Sequence, residues 1–449
     1  MSTTSILIIG AGIAGPPLAS FLLLAPLPAS QLPSITIVER RAEDDQSKGQ
    51  NIDIRGTGMQ IIRKLGLEAA IRNATTGEEG CQFVDEKGRV WASFAADKTG
   101  QVQTGTSDIE ILRGRLAAIL LGRLKSLSED VKAKGGKEVE FLFGEYVEGL
   151  IDDGEKGVEV KFAHSGERRK FDVVIAADGL QSRTRRMVWG ESGEQDRLKR
   201  LGMYGGFFSM PSAKSDTEWR RWFHTSGRRG IMVRPSDDPK ITTVFAYVIN
   251  ENDRRLEDAA RDGRKGSANQ RALLKEYYQD AGWECERINR EMETAEDFYF
   301  DMVAQVKMPK WSKGRVVLLG DAGFCASPIS GMGTTLALNG AYNLAGVLTR
   351  NPHDHAAAFE EYENSMRPLV DRAQALPLGG RVHYLINPET VWGVWVLHLL
   401  CWFFCQSGIA MLLARFQGPP ANAVPIQEFD FAQASEWREY CWQRLYTGQ

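Results

Sequence analysis

"SILIIGAGIAGPPLASFLLL" occupies Ser5 to Leu24. Its opening residues are apolar and β-branched without alternation, the pattern of a strand buried on both faces. Gly10-Ala11-Gly12-Ile13-Ala14-Gly15 follows and fits GxGxxG, and an apolar helix runs from Ile13 to Leu24. In such a unit Gly10 permits the tight turn, Gly12 lets backbone approach a pyrophosphate, and Gly15 lets helix pack on strand. Ala14 lies in the same turn, and the free N–H groups of the helix start face an anion. Pro16-Pro17 is awkward, because proline is tolerated only where its missing N–H has no helical partner. The first helical turn is therefore expected to be distorted.

A Pro/Ser-rich loop, Ala25 to Ser34, leads to a second strand, Ile35 to Arg40. The order strand–helix–strand implies a right-handed crossover and parallel pairing. Glu39 closes this strand, where a carboxylate accepts both hydroxyls of a ribose and repels a 2′-phosphate. The loop thus suits FAD or NAD rather than NADP. Arg40 beside it reaches either a phosphate or solvent.

Two more stretches repeat the buried-strand pattern, "FDVVIAADG" (Phe171 to Gly179) and "GRVVLLGDAG" (Gly314 to Gly323). Between them, residues 200–250 are aromatic and alternating, as in an antiparallel sheet with one covered face. Cys81 to Phe94 reads as a hairpin turning near Lys87-Gly88, residues 57–72 as helical, and Glu110 to Leu127 as an amphipathic helix preceded by a short strand. Residues 139–164 read as a strand meander, and helices are expected from Gly333 to the end. The expected architecture is α/β with an α+β lobe. A Rossmann-like nucleotide domain is assembled from 1–75, 100–185 and 300–355. An antiparallel-sheet substrate domain (76–99 and 186–299) is inserted, and 356–449 is a C-terminal helical region.

Bulk properties exclude several classes. The 449 residues carry a net charge of -3 with mixed signs, so nothing suggests nucleic acid. Six cysteines are scattered without a CxxC pair, which predicts no zinc site and a reducing, cytoplasmic compartment. The first apolar run contains the glycine turn and lacks a basic leader, so it is a strand rather than a signal peptide. Val391 to Ala414 holds no Asp, Glu, Lys or Arg. It reads either as two helices broken near Ser407-Gly408, packed on the body or on a dimer partner, or as a membrane contact.

The deciding stretch lies far from the glycine turn. In "GDAGFCASPISGMGTTLALNGAYNLAGVL" (Gly320 to Leu348) a strand ends at Asp321, a Pro/Gly-rich loop follows, and a small-residue helix starts near Gly333. Asp321 can take a ribityl hydroxyl. The helix N-terminus from Gly331 to Thr335, including Gly333 and Thr334, can aim N–H groups at a ring carbonyl. A flavin becomes anionic at that edge on reduction, and a helix N-terminus favours the charge by about 0.3–1 kcal/mol. An NAD enzyme has no need of this second element.

With GAGIAG at 10–15, AADG at 176–179 and GDAGFCASPISGMGTT at 320–335 in this order, the chain resembles the class A FAD-dependent monooxygenases of the p-hydroxybenzoate hydroxylase fold. It is most similar to the tetracycline-inactivating and fungal secondary-metabolite members. The resemblance implies FAD as cofactor, NADPH as a transient reductant without its own Rossmann unit, and O2 as co-substrate. It links Asp178 and Gly179 to FAD and NADPH, and Arg113, the first Arg of "EILRGRLAAILL", to FAD. Gly49 and Asp53 in "GQNIDIRGTG" would lie along the flavin, with Arg113 and Asp53 beside the ring. Asp321, Pro328, Gly331 and Gly333 keep the family core. Gly323 and Phe324 replace the usual Ala-His, and Gly340 stands where the family has Asp, which puts the polarity beside the ring in doubt.

The implied substrate is an aromatic or polyketide-like small molecule. Candidate pocket residues on the aromatic segments are Tyr204, Phe208, Trp222, His224 and Arg234, of which alternation turns about half away. Hydroxylation and Baeyer–Villiger insertion stay open. A flavin oxidase or dehydrogenase, and a binding protein that lost redox chemistry, are the rival readings.

Overall fold

A computed structural model describes residues 3–43, 49–96, 109–152, 154, 157–261, 267–407 and 426–437. The first strand, Ser5–Ile9, sits inside a six-stranded sheet. It pairs in parallel with Ser34–Glu39 on one side and Val173–Ala176 on the other. Val316–Leu318 and Glu140–Phe143 extend the parallel pairing outward, and Ser312–Lys313 closes one edge antiparallel. Glu140–Phe143 therefore belongs to this sheet and not to the meander. Leu7 and Ile8 are fully buried, each worth about 1.5–3 kcal/mol relative to exposure.

Period two decides which layer each strand residue meets. Ile6 and Ile8 face the helices Gly15–Leu23, Arg113–Ala133 and Gly333–Arg350. Leu7 and Ile9 face a three-stranded sheet carrying Val147, Val158, Val160 and Phe162. Helix Gly333–Arg350 is buried from Thr334 to Leu348, which explains its small-residue composition. Helix Gly15–Leu23 takes Pro16 and Pro17 in its first turn, where their missing N–H groups have no partner, so the expected distortion is not needed. Residues 57–72 form two helices, Thr57–Lys64 and Glu68–Asn73, parted at Gly66 with φ +70°.

The sheet expected to form the substrate domain has seven strands in the order Tyr299–Val306, Leu198–Pro211, Ile241–Ile249, Arg229–Pro235, Arg220–Thr225, Gly80–Val84 and Val90–Ala95. It is antiparallel except between Arg220–Thr225 and Gly80–Val84. It includes Tyr299–Val306, so it runs past the boundary read at 299. One face packs on the helices Arg254–Arg261, Ala268–Tyr278 and Cys285–Thr294. The other faces the cofactor domain and the C-terminal part of the chain.

That C-terminal part departs from an all-helical expectation. Helix Val391–Ser407 lies on the far strands of the sheet, and 408–414 fall outside the described residues. No described helix is long and apolar enough to cross a membrane. Residues 426–437 are non-helical and strap the cofactor domain. Ala432 N–H donates to Leu24 O at 2.8 Å, Trp437 N–H to Gly66 O at 2.9 Å, and Phe431 packs 5.1 Å from Phe21.

Candidate active site

Two of the three glycines of the turn are required by the fold itself. Gly10 has φ +112°, and a Cβ there would lie 2.5 Å from the Ala177 carbonyl oxygen. A Cβ on Gly15 would lie 2.1 Å from the Gly10 oxygen, whereas one on Gly12 would meet only the Arg113 guanidinium, at 3.8 Å. Gly10 and Gly15 thus close the turn, and Gly12 leaves its backbone open to the cleft beside Arg113. Glu39 ties the turn to its strand. Its carboxylate accepts Ala11 N–H at 2.9 Å and Arg41 N–H at 3.0 Å. Burial alone would raise this carboxyl, but the charge of Arg41 and the two N–H donors outweigh it, and the net shift is downward. Arg40 is exposed at the strand end.

Three further segments converge on the turn. Gly320, with φ +64°, approaches Ala14 so closely that a Cβ would sit 3.3 Å from the Ala14 methyl. Asp321 follows, reachable by solvent at the cleft yet walled by protein. Burial raises its carboxyl, opposed by a bond from the Cys325 thiol and by the charge of Arg113. Its Oδ1 is 4.0 Å from the site of a Cβ on Gly333, so strand end and helix start meet. Pro328 opens a 3-10 turn and Gly331 leaves it at φ +63°. A Cβ on Gly331 would lie 3.7 Å from the Arg55 guanidinium. Thr335 Oγ1 clamps Arg55, accepting its N–H at 3.1 Å and donating to its carbonyl at 2.9 Å. Thr334 is buried in the same first turn.

Arg113 starts its helix where the chain leaves strand Glu110–Leu112, and its N–H donates to Gln50 O at 2.9 Å. Gly49 passes it closely enough that a Cβ would sit 3.4 Å from the Arg113 Cβ. Asp53 pairs with Arg55 through Oδ2 at 2.7 Å, while its buried Oδ1 has no partner among the described residues. Asp178 is occupied within the protein. It accepts Ser182 Oγ–H at 2.6 Å and both the N–H and hydroxyl of Thr184, fixing the start of helix Arg183–Trp189 beside Gly179, φ +79°.

The residues present fit FAD. A backbone cradle at Gly12, an orphaned buried carboxylate oxygen on Asp53, a carboxylate at Asp321, a cation at Arg113 and the N-terminus of a long helix at Gly333 line one cleft. The family described as "FAD binding domain" matches residues 3–375. The FAD-dependent monooxygenase asL6 of Sarocladium schorii is 34% identical over 95% of this chain and 98% of its own length. The chain belongs to the flavin-dependent monooxygenases. The flavin-dependent monooxygenase eupH of a Phoma species is 33% identical over 96% of this chain and 98% of its own. The crystal structure of tetracycline destructase Tet(51) superposes with a TM-score of 0.73 at 30% identity, covering 95% of this chain and 100% of that one.

Within this flavin-dependent monooxygenase the substrate-side readings divide by sheet face. Tyr204 and Phe208 point to the helices, 5% and 3% exposed, in the core with Leu273, Leu274 and Phe298. They do not face the cleft; alternation put them on the other side. Trp222 does share the cleft-side face, with Met232, Phe245 and Tyr247. Its indole N–H donates to Tyr247 OH at 2.8 Å, and that hydroxyl donates to Asn387 Oδ1 at 2.6 Å. Arg234 is a strut, not a free cation. It bonds Glu78 at 2.8 Å and also Glu110, joining the substrate sheet to the cofactor domain, and both carboxylates push its guanidinium up. Glu110 also accepts from Asn51 and Thr76.

His224 lies under helix Val391–Ser407. It is 2% exposed, with its ring 5.6 Å from Phe83, 4.8 Å from Trp222 and 6.5 Å from His398. Neither ring nitrogen has a hydrogen-bond partner among the described residues. Burial, with a smaller contribution from His398, pushes it down to about 3, so it is neutral.

Sequence reasoning missed Arg55 and Tyr299. Arg55 stood two residues from Asp53 in a stretch already singled out. Tyr299, the last residue of the segment read as the inserted sheet domain, begins a strand whose remaining residues were read with the nucleotide domain. Its ring stacks 4.9 Å from Phe207, which stacks 4.1 Å from Phe245; burial raises its hydroxyl, opposed by the charge of Arg113.

Proposed function

We propose that this monooxygenase takes electrons from NADPH and places one oxygen atom of O2 on an aromatic or polyketide-like small molecule. The observation that carries the reading is that Ile329, in the turn before Gly331, packs against the same buried cluster (Met203, Tyr247, Ile249 and Val303) as Trp222, Met232 and Phe245 on the sheet. We read these side chains as an apolar wall beside the cradle that fits FAD. Bound FAD would supply the transfer of electrons to O2 and of an oxygen atom to the substrate. Gly10, Gly12, Gly15, Glu39, Arg113 and Asp321 would hold it, with Asp53, Arg55 and the N–H groups from Gly333 to Thr335 at its ring end. Trp222, Met232 and Phe245 would orient a planar substrate and exclude water. Tet(51), similar in structure, is a tetracycline destructase, which supports a polycyclic substrate class.

The test is anaerobic mixing of the flavin-loaded protein with NADPH, following the visible flavin band, alone and with phenolic and polyketide compounds. Faster bleaching with one compound, and its oxygenation on admitting air, is expected. A yellow protein that NADPH never bleaches would favour the oxidase or dehydrogenase. Incorporation beside a ketone would correct hydroxylation to Baeyer–Villiger insertion.

A further inference from the structure

Helix Val391–Ser407 has two dissimilar sides. One is held to the sheet by His398, stacked 5.6 Å from Trp91, and by Cys405, whose thiol donates to Ser93 O at 3.3 Å. The other is apolar and exposed. Trp392, Trp395, Leu399 and Trp402 are 73%, 48%, 38% and 45% exposed. Their spacing of three, four and three is that of a helix–helix seam, with an apolar residue every 3.5 positions on average. No Asp, Glu, Lys or Arg occurs from 391 to 407.

We propose that this face is the interface with a second copy of the chain, packed helix against antiparallel helix about a twofold axis. The seam is self-complementary when reversed. An axis at position 397 sets Trp392 opposite the partner subunit's Trp402 and Trp395 opposite the partner subunit's Leu399. The surface also carries knob and hole together, as an isologous contact requires. Trp392 protrudes at one end. At the other, Arg89, Val90, Trp91, Leu399 and Trp402 line a groove of about 350 Å³. The 17-residue helix is about 25 Å long. With flanking Leu400 and Phe403, and about 150–250 Å² for each large side chain, the half-exposed seam offers on the order of 600 Å². A specific interface takes roughly 800 Å² per partner; half-exposed Val90, with Arg89 and Trp91 at the groove, extends the apolar surface toward that size. Aromatic residues with an Arg at the edge suit a protein partner. A lipid surface would call for a basic rim, and Arg89 is already paired with Asp85 at 2.8 Å.

Sedimentation equilibrium of the full-length, flavin-loaded protein at micromolar concentration tests this. The mass of two chains is expected, falling to one chain in Trp392→Glu/Leu399→Glu with the flavin band retained. In a background of Cys401→Ser and Cys405→Ser, Trp392→Cys combined with Trp402→Cys should oxidise to a covalent dimer, whereas Trp392→Cys alone should not. A one-chain mass for the unaltered protein overturns the proposal, whether it stays free or co-sediments with phosphatidylcholine–phosphatidylserine vesicles. So does a two-chain mass that survives both glutamates. Cross-linking by Trp392→Cys alone overturns the antiparallel arrangement.

Discussion

At Gly10–Gly15 the chain presents backbone to the cleft, whereas at Trp222, Met232 and Phe245 the sheet presents side chains. The first surface is defined by what cannot be there: a Cβ on Gly10 or Gly15 would collide with a carbonyl oxygen. The second is defined by which way each residue of a strand turns, and a single bulge reverses that. Leu198–Pro211 contains such an irregularity between Arg200 and Met203, just before Tyr204. Backbone chemistry is written in residue type alone; side-chain chemistry also needs the register.

The sharpest way to break this contrast is at Arg234, which looked like a cleft residue and is a strut. Arg234→Met leaves buried Glu78 and Glu110 with Arg220, 3.8 Å from Glu78, as their remaining cation, and should cost about 3 kcal/mol of stability, the low end for breaking a buried pair. Urea unfolding measures it; an unchanged midpoint with only weaker substrate binding would return Arg234 to the pocket. Gly15→Ala comes next. Its methyl meets the Gly10 oxygen, so about 1–3 kcal/mol of strain and loss of bound flavin are expected. Gly12→Ala should leave the melting temperature nearly unchanged, because its only near neighbour is the Arg113 guanidinium. Equal destabilisation by the two would contradict the division of labour in the turn.

The pH dependence gives a smaller effect. His224 titrates in the unfolded chain near 6.5 and in the fold near 3. A base whose folded value is depressed contributes stability that is complete above 6.5 and declines as pH falls toward 3. The loss between pH 6.5 and 5.5 is about 1 kcal/mol for one such histidine. His398, which burial also lowers while Asp85 opposes, adds to the same window. His224→Phe should flatten the decline in thermal melts across that range, and, with both nitrogens unpartnered, cost little at pH 7.5. An unaltered slope would show that His224 is protonated or solvated in the fold. Smallest is Trp222→Phe, which removes one donor to Tyr247 and should cost about 1 kcal/mol.

How much was legible follows the same line. The strand at Ser5–Ile9, the glycine turn and the Gly320–Gly333 loop were readable because their residue types admit few conformations. The parallel partners Val173–Ala176 and Val316–Leu318 were readable as uninterrupted apolar runs. Tyr204 and Phe208 were misassigned because an aromatic residue fits either face of a half-buried strand. Asp178 looked like a ligand contact and spends both oxygens on Ser182 and Thr184; only three-dimensional neighbours tell these roles apart. The exposed helix was visible as an apolar run, but its outward seam depended on His398 fixing which side faces the sheet.

The account rests on one cleft holding FAD between the glycine turn and the helix starting at Gly333. Titration of apoprotein with FAD, read by quenching of flavin fluorescence, tests it most directly. Tight one-to-one binding is predicted for the unaltered chain, with at least tenfold weaker binding, about 1.4 kcal/mol, for Asp321→Ala at an unchanged apoprotein melting temperature. Undiminished affinity in Asp321→Ala would place the flavin elsewhere and contradict the site.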